Sequence, residues 1–352
     1  MTDKPDERQR RRQVQTMQEL SALIGVSRPT LSRYFQSPES VRGTTVAKIR
    51  QGLEQIDYVP NFFATRMNRK STGIIGVVIP YLNDLFFTKL LQAVEVAAMA
   101  QGFTVITQSS HSDPEIEARA AETLMSMSVD GAIVAPLGNQ TDPEVHARLA
   151  ARLPFVLIDS LPETLPDVDY VGTNHDQSTG LIVDYLARRG EAPVYLAMPP
   201  GNFNAIGRER AYLRRMSELG LEPTIIGERA LGDDPYEGHG NAVLAAEFGR
   251  GNLLDRSILC VNDRVAIGAL RAAGQHGLTP GRQGEGGLRI AGHDDYPLCP
   301  FTVPSLTTVA QDLDAIANRA VTRLIAKIRG DKGTDVPEVT LFDGTLKVRE
   351  SA

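Results

Sequence analysis

The sequence predicts two unlike parts, an all-α head containing a helix-turn-helix and an α/β body of two doubly wound parallel-sheet lobes. Three observations predict it. Helix signals crowd the stretch Thr16 to Ile56, with only Gly25, Val26 and Ser27 between the first helix and the second. From Gly73 onward short apolar runs alternate with amphipathic stretches, the pattern of strands and helices taking turns. Charge divides at the same border: residues 1–70 carry a net +6 and the remainder −12, within a chain of 352 residues and overall charge −6. A basic module on an acidic body suits a small polyanion-binding domain joined to a larger one that avoids polyanions.

The head is built in chain order. Thr16-Met17-Gln18-Glu19 is a capping box, so a helix starts near Met17, and Leu20, Leu23 and Ile24 give it an apolar face. Gly25 stops it where a left-handed residue is needed. Ser27 is the expected N-cap of a second helix from Arg28 to about Phe35, in which Pro29 is tolerated because first-turn amides have no helical acceptor. In a helix-turn-helix the second helix presents its N-terminal side chains to base edges. With Leu31 facing inward, Arg28, Pro29, Ser32 and Arg33 turn outward as candidate readers. Arginine donates a bidentate pair to guanine, while Thr30 and Ser32 suit phosphate oxygens. A third helix over Thr45 to Ile56, with Val46, Ile49, Leu53 and Ile56 buried, completes the head. The expected divisions are a head over 1–59 with a basic N-terminal arm, in which Thr16 and Ser27 at the two helix starts are also counted as DNA contacts, a linker over 60–72 and a body over 73–352.

In the body, Ile74 to Pro80, Thr104 to Gln108, Gly131 to Pro136, Phe155 to Asp159, Val194 to Met198, Ile258 to Val261 and Leu288 to Gly292 read as buried parallel strands. Helices over 87–101, 115–127, 177–189 and 265–276 separate them. Ligands in such sheets bind beyond the carboxyl ends of the strands. Asp84, Asp159, Asn262, Asp263 and Asp294 all stand there and are expected to converge on one cleft.

Other classes find little support. The apolar runs are far shorter than the roughly 20 residues of a membrane helix, and no apolar stretch follows Arg8, Arg10, Arg11 and Arg12, so a cytoplasmic protein without a membrane role is expected. Cys260 and Cys299 stand far apart without nearby His or Cys partners, and read as inert core thiols rather than a disulfide or metal site. The chain has no phosphate-cradling glycine loop, no Gly-x-Ser-x-Gly and no metal-spaced histidines; neither an enzyme nor a cofactor is expected. A sugar-metabolising enzyme and a plain binding protein remain the rival classes.

The chain resembles the lactose-repressor and galactose-repressor (LacI/GalR) family over nearly its whole length. The matching strings, in order, are Gly25-Val26-Ser27-x-x-Thr30-Leu31-Ser32-Arg33, Tyr58-x-Pro60-Asn61, Thr72-Gly73-Ile74-Ile75-Gly76, Phe86-Phe87, Val129-Asp130-Gly131-Ala132-Ile133, Asn262-Asp263-x-x-Ala266-x-Gly268-Ala269, Gly292-His293-Asp294-Asp295 and Leu306-Thr307-Thr308-Val309. The resemblance implies a homodimer on double-stranded operator DNA, and a linker helix that opens the minor groove with an apolar wedge. That wedge falls on Met67, where leucine is usual, flanked by Asn61 and Arg66. It implies periplasmic-binding-protein-like lobes, one over about 73–160 and 304–330, the other over about 161–303 and 331–352, with crossovers near 160–172 and 300–306. Arg208 matches the family's ligand-gripping arginine, Asp294 its carboxylate, and Phe86 and Phe87 its aromatic wall. Arg42 departs from a usual hydroxyl cap, Asp84 from asparagine and Leu85 from proline. Three aspartates against one arginine favour a neutral sugar or polyol effector. The function implied is a ligand-responsive repressor of carbohydrate genes relieved by an inducer, with a corepressor mode as the alternative. No leucine heptad ends the chain, so dimers rather than tetramers are expected.

Overall fold

The structure is a computed structural model that describes residues 12–60, 71–137, 141–165, 167–188, 190–198, 203–227, 236–281 and 287–352. The chain divides into two compact units, Met1–Thr72 and Gly73–Ala352.

The first unit holds strand β1 (Arg12–Gln13), helices α1 (Met17–Ile24), α2 (Arg28–Gln36) and α3 (Gly43–Glu54), and strand β2 (Ile56–Asp57). Thr16 caps α1 by accepting from the Glu19 amide at 3.2 Å, while Glu19 reaches back to the Gln15 amide at 3.1 Å. Gly25 ends α1 at φ 66° in the left-handed region. Leu20, Ile24, Leu31 and Ile49, one set from each helix, meet in the core with Val14. A Cβ on Gly52 would lie 2.7 Å from Ile24, so the glycine lets α3 close against α1. The third helix ends two residues earlier than its apolar stripe suggests. Ile56 packs on the head core from β2 instead, which pairs in parallel with β1.

In the second unit, the first lobe is a six-stranded parallel sheet in the order β13-β7-β6-β5-β3-β4. Its strands are β3 (Ile74–Ile79), β4 (Thr104–Ser109), β5 (Gly131–Val134), β6 (Phe155–Ile158), β7 (Tyr170–Thr173) and β13 (Val339–Phe342). Helices α4 (Leu85–Ala100), α5 (Pro114–Ser126), α6 (Pro143–Ala150) and α11 (Leu313–Arg329) accompany it. Every residue of β3 is buried, as expected of a central parallel strand covered on both faces. Asp169, at the foot of β7, is fully buried against Arg323 and Lys327 and so pins α11 to this sheet.

The second lobe is a four-stranded parallel sheet, β11-β10-β8-β9. It comprises β8 (Val194–Leu196), β9 (Thr224–Ile226), β10 (Ser257–Cys260) and β11 (Arg289–Ala291). Its helices are α7 (His175–Ala187), α8 (Phe203–Glu218), α9 (Tyr236–Gly249) and α10 (Asp263–Gln275). An antiparallel pair, β12 (Thr308–Ala310) with β14 (Thr345–Lys347), adjoins β11 through bridges Ala291–Thr307 and Asp294–Ala310.

The lobe boundaries differ from the expected ones. Strands 170–173 and 339–342 hydrogen-bond into the first sheet, so the crossovers fall after Thr173, at Gln311 and after Phe342. These short strands carry too few residues for periodicity to reveal which sheet they join. The crossovers are knit together: Asn174 donates to Asp343 at 2.9 Å, and Thr173 bonds Gln311. His239 and the segment 281–287 read as loop features in sequence. His239 instead lies buried in α9 with Nε2 2.9 Å from the Ala197 carbonyl, while most of 281–287 lies outside the described residues.

Helices α9 and α10 touch backbone to backbone. A Cβ on Gly240 would sit 2.1 Å from the Val265 carbonyl oxygen, and one on Gly268 would sit 1.9 Å from that of Glu237. Only glycine permits this approach, which sets Glu237 beside the first turn of α10. Gly268→Ala should therefore destabilise the fold by about 3 kcal/mol or more, since the obstacle is backbone. An unchanged melting temperature would show that the helices separate without cost.

Candidate functional site

Two groups of side chains matter, one in each unit. In the head, burial of Leu31 turns Arg28, Pro29 and Arg33 to solvent and leaves Thr30 and Ser32 half-exposed. Neither guanidinium is engaged by another described residue. Ser27 does not cap α2 with its side chain as expected; its hydroxyl lies 2.8 Å from that of Thr30. The hydroxyl of Thr16 is taken up by the α1 cap. Arg42 begins α3 with no side-chain cap bond, as its replacement of a hydroxyl residue implies. Arg42 and Arg50 are exposed too, which leaves the head well supplied with positive charge facing solvent. Asn61, Arg66 and Met67 lie outside the described residues.

In the body, a cleft between the lobes is lined by Asp84, Phe86, Phe87 and Asp159 from the first lobe, and by Arg208, Asn262 and Asp294 from the second. All seven were expected there. All but Arg208, which lies within α8, sit at a strand exit or helix start: Asp84 caps α4 by accepting from the Phe86 amide at 2.9 Å, and Asn262 caps α10 by accepting from the Val265 amide at 2.9 Å. The Phe86 and Phe87 rings meet edge to face at 5.2 Å. Asp159 and Asp294 occupy positive φ of 65° and 123°, strained conformations of the sort that collect at binding sites.

Arg208 is buried and forms the floor. It donates from Nη2 to Asp294 at 2.6 Å and from Nη1 to the Val261 carbonyl at 2.8 Å, while its Nε–H is buried with no protein partner among the described residues. Burial works to raise the carboxyl of Asp294, but the Arg208 charge and the His293 contact overcome it and hold it low. His293 bridges Asp294, 3.2 Å from Nδ1, and the Ser178 hydroxyl, 3.0 Å from Nε2; burial and Arg208 push its pKa down to about 4, so it is neutral. Asp159 accepts from Asn204 Nδ2 at 2.8 Å. Its burial outweighs the nearby Arg208 and raises its pKa to about 7.

Asp263 is not part of the cleft. Its carboxylate turns under α10 and accepts from the Thr308 hydroxyl at 2.6 Å, the Tyr296 amide at 2.8 Å and the Cys299 thiol at 3.2 Å. Burial and the Asp294 charge raise its pKa. As the first residue of α10 it points back toward the loop after β11, where three donors already satisfy it. Cys260 and Cys299 are buried free thiols, pushed up by burial.

Sequence reasoning missed Met198, Asn204, Tyr236, Arg264 and Tyr296, which also line the cleft. Arg264 and Tyr296 each stand two residues beyond a predicted one, so the strand-exit rule extended by a helical turn would have found them. Tyr236 had no signal, because its place depends on the α9–α10 approach. The cleft is partly open to solvent, and its interior measures about 60 Å³. Among the described residues no group of three potential metal ligands gathers, and no helix is long and apolar enough to cross a membrane.

Residues 16–61 match the family described as bacterial regulatory proteins, lacI family, and residues 183–352 match the periplasmic binding protein-like domain. The HTH-type transcriptional regulator MalR of Streptomyces coelicolor is 29% identical over 320 residues, covering 89% of this chain and 90% of its own. The chain belongs to the LacI family. The ribose operon repressor of Escherichia coli, 26% identical, covers 89% of this LacI-family chain and 93% of itself. Among solved structures, the Lac repressor bound to ONPG in the repressed state superposes with a TM-score of 0.82 at 24% identity, over 96% of this chain and 99% of that one. It shares the fold. The family match makes this LacI-family chain a DNA-binding transcriptional regulator.

Two expectations follow. Arg33→Ala should cost about 1 to 3 kcal/mol of operator affinity at fixed salt if this side chain reads a base; an unchanged binding constant would remove it from that role. Asp159 keeps a proton in the folded protein between about pH 4 and 7 that the unfolded chain releases, so its contribution to stability falls as pH rises through that window. Asp159→Asn keeps the acceptor for Asn204 and tolerates the positive φ. Its melting temperature relative to the unsubstituted protein should climb from pH 4 to 7 and then level, worth up to about 4 kcal/mol. A difference independent of pH would contradict the raised pKa.

Proposed function

We propose that this regulator represses genes of carbohydrate uptake or catabolism, acting in the cytoplasm as a homodimer on a near-palindromic operator, and that a small neutral sugar or polyol in the interlobe cleft relieves repression. The observation that carries the effector reading is the matching of charge in the cleft. Arg208 is paired with Asp294, and Arg264 with Asp84 and Glu237. Asp159 is held protonated up to about neutral pH by burial. Among the described lining residues no surplus cation waits for a phosphate or carboxylate ligand, and burying an unpaired anion there would be costly. Hydroxyl groups instead both donate to Asp294 and accept from the unpartnered Arg208 Nε–H. The Phe86–Phe87 pair offers an apolar wall for a sugar ring. A relative named for the ribose operon supports a compact carbohydrate.

The homodimer has apolar surface to use. Val96 and Met99 on α4 are 56% and 70% exposed, and Phe301 and Val303 in the second lobe are 80% and 94% exposed. Solitary apolar residues are ordinary, but neighbours in chain of this size suit a second copy.

A gel shift on DNA upstream of the protein's own gene tests the reading, run with D-ribose, D-xylose, D-glucose and D-glucose 6-phosphate. Release by a neutral sugar and not by the phosphate is the expected result, and release by the phosphate alone would overturn it. A sugar that strengthens the shift would assign the corepressor mode. Arg208→Ala should keep operator binding and lose the response to sugar; loss of both would mark a folding defect.

A further inference from the structure

We propose that Arg264 is the latch of the cleft: its ion pair with Asp84 holds the two lobes closed, and ligand access and escape both wait on its breaking. The proposal rests on the cleft being the effector site and concerns what governs its opening.

Arg264 belongs to the second lobe, in the first turn of α10, and Asp84 to the first, at the start of α4. Nη1 of Arg264 donates to Asp84 Oδ2 at 2.9 Å, both side chains lining the pocket. The guanidinium is fixed from behind. Its Nε and Nη2 donate to the two carboxylate oxygens of Glu237 at 2.7 and 2.9 Å, and its Cζ lies 4.6 Å from the centre of the Tyr236 ring. Glu237 and Tyr236 are held in place by the close approach of α9 to α10 at Gly240 and Gly268. On the other side Asp84 is equally rigid, because its second oxygen caps α4. Two anchored groups thus meet across a moving boundary, so small separation of the lobes must break the pair rather than stretch it.

Two other hydrogen bonds join the pocket walls from opposite lobes, Asn204 to Asp159 at 2.8 Å and the Leu85 amide to the Tyr296 hydroxyl at 3.4 Å. Neither joins two opposite charges, and a hydrogen bond between charged groups is the stronger kind. The one other ion pair between the lobes among the described residues, Arg210–Glu163 at 2.8 Å, lies outside the pocket and is largely exposed, where solvent leaves such a pair little strength. Arg264 and Asp84 both line the cleft, whose interior measures about 60 Å³, so parting this pair enlarges the space open to a ligand. Three of the five guanidinium N–H groups are used, which leaves one on each terminal nitrogen to hold a ligand hydroxyl once the pair re-forms.

Hydrogen–deuterium exchange of the full-length protein without ligand tests the latch, comparing Asp84→Asn, Arg264→Gln and the double variant with the unsubstituted chain. The Asp84→Asn change preserves the helix cap and removes only the charge. Each single change should speed exchange about tenfold in peptides spanning 81–90 and 292–300. The double variant should be no faster than either single one, and peptides of the head should be unaffected. Unchanged exchange in the single variants, additive acceleration in the double variant, or acceleration spread evenly over the chain would each overturn the proposal. Because no ligand is present, such a failure leaves the effector reading standing, and a failed sugar screen leaves the latch standing.

Discussion

The body is organised around one mostly buried carboxylate. Asp294 accepts from Arg208 in the second lobe, from His293 beside it and, at 2.6 Å, from the side-chain amide of Gln311 on a crossover strand. Removing an anion from water costs several kcal/mol unless hydrogen bonds replace the lost hydration, and here three groups do so. The arrangement brings a strained backbone at Asp294 and Asp295, with φ of 123° and 52°, which the Asp295–Arg349 pair at 2.6 Å helps to hold. Gln311 in turn bonds Thr173 on a second crossover. Through the single side chain of Gln311, Asp294 is thus tied to two of the crossovers between the lobes.

Much of this was legible in the residues. The capping box at Thr16, the glycine stop at Gly25 and the inward Leu31 are local rules, settled within a turn or two, and the head follows them. Long buried strands such as Ile74–Ile79 announce themselves by composition, and polar residues at strand ends marked Asp84, Asp159, Asn262 and Asp294 in the cleft, while Arg208, Phe86 and Phe87 came from the family resemblance. What was not legible depended on the third dimension. Asp263 stands at a strand exit like its neighbours, yet the helix phase turns it away from the cleft toward Thr308, Tyr296 and Cys299. Tyr236 joins the pocket, and Glu237 braces Arg264, because two glycines, far apart in sequence, let helices touch. The sheet to which residues 339–342 belong is decided by the turn before them and by the partner strand 170–173, not by four residues of their own.

Charge is managed differently in the two units. Exposed arginines among the described residues of the head face solvent, which keeps their field available to phosphates at a distance set by ionic strength. In the cleft, by contrast, cations are matched to carboxylates at hydrogen-bond distance, and the buried histidines stay neutral. The same residue type, arginine, thus serves as a long-range attractor in one place and as a rigid structural fork in the other.

The parallel pairing of Arg12–Gln13 with Ile56–Asp57 joins the two ends of the head. Val14, at the close of the first of these strands, is buried, and its amide donates to the Asp57 carbonyl at 3.1 Å just before the linker begins. The rigid portion of the head therefore extends as far as its N-terminal strand can zip it. Trimming the chain back to Thr16 would take Val14 out of the head core and leave Ile56 and Asp57 without their partner strand, a loosening inflicted at the opposite end of the head's sequence.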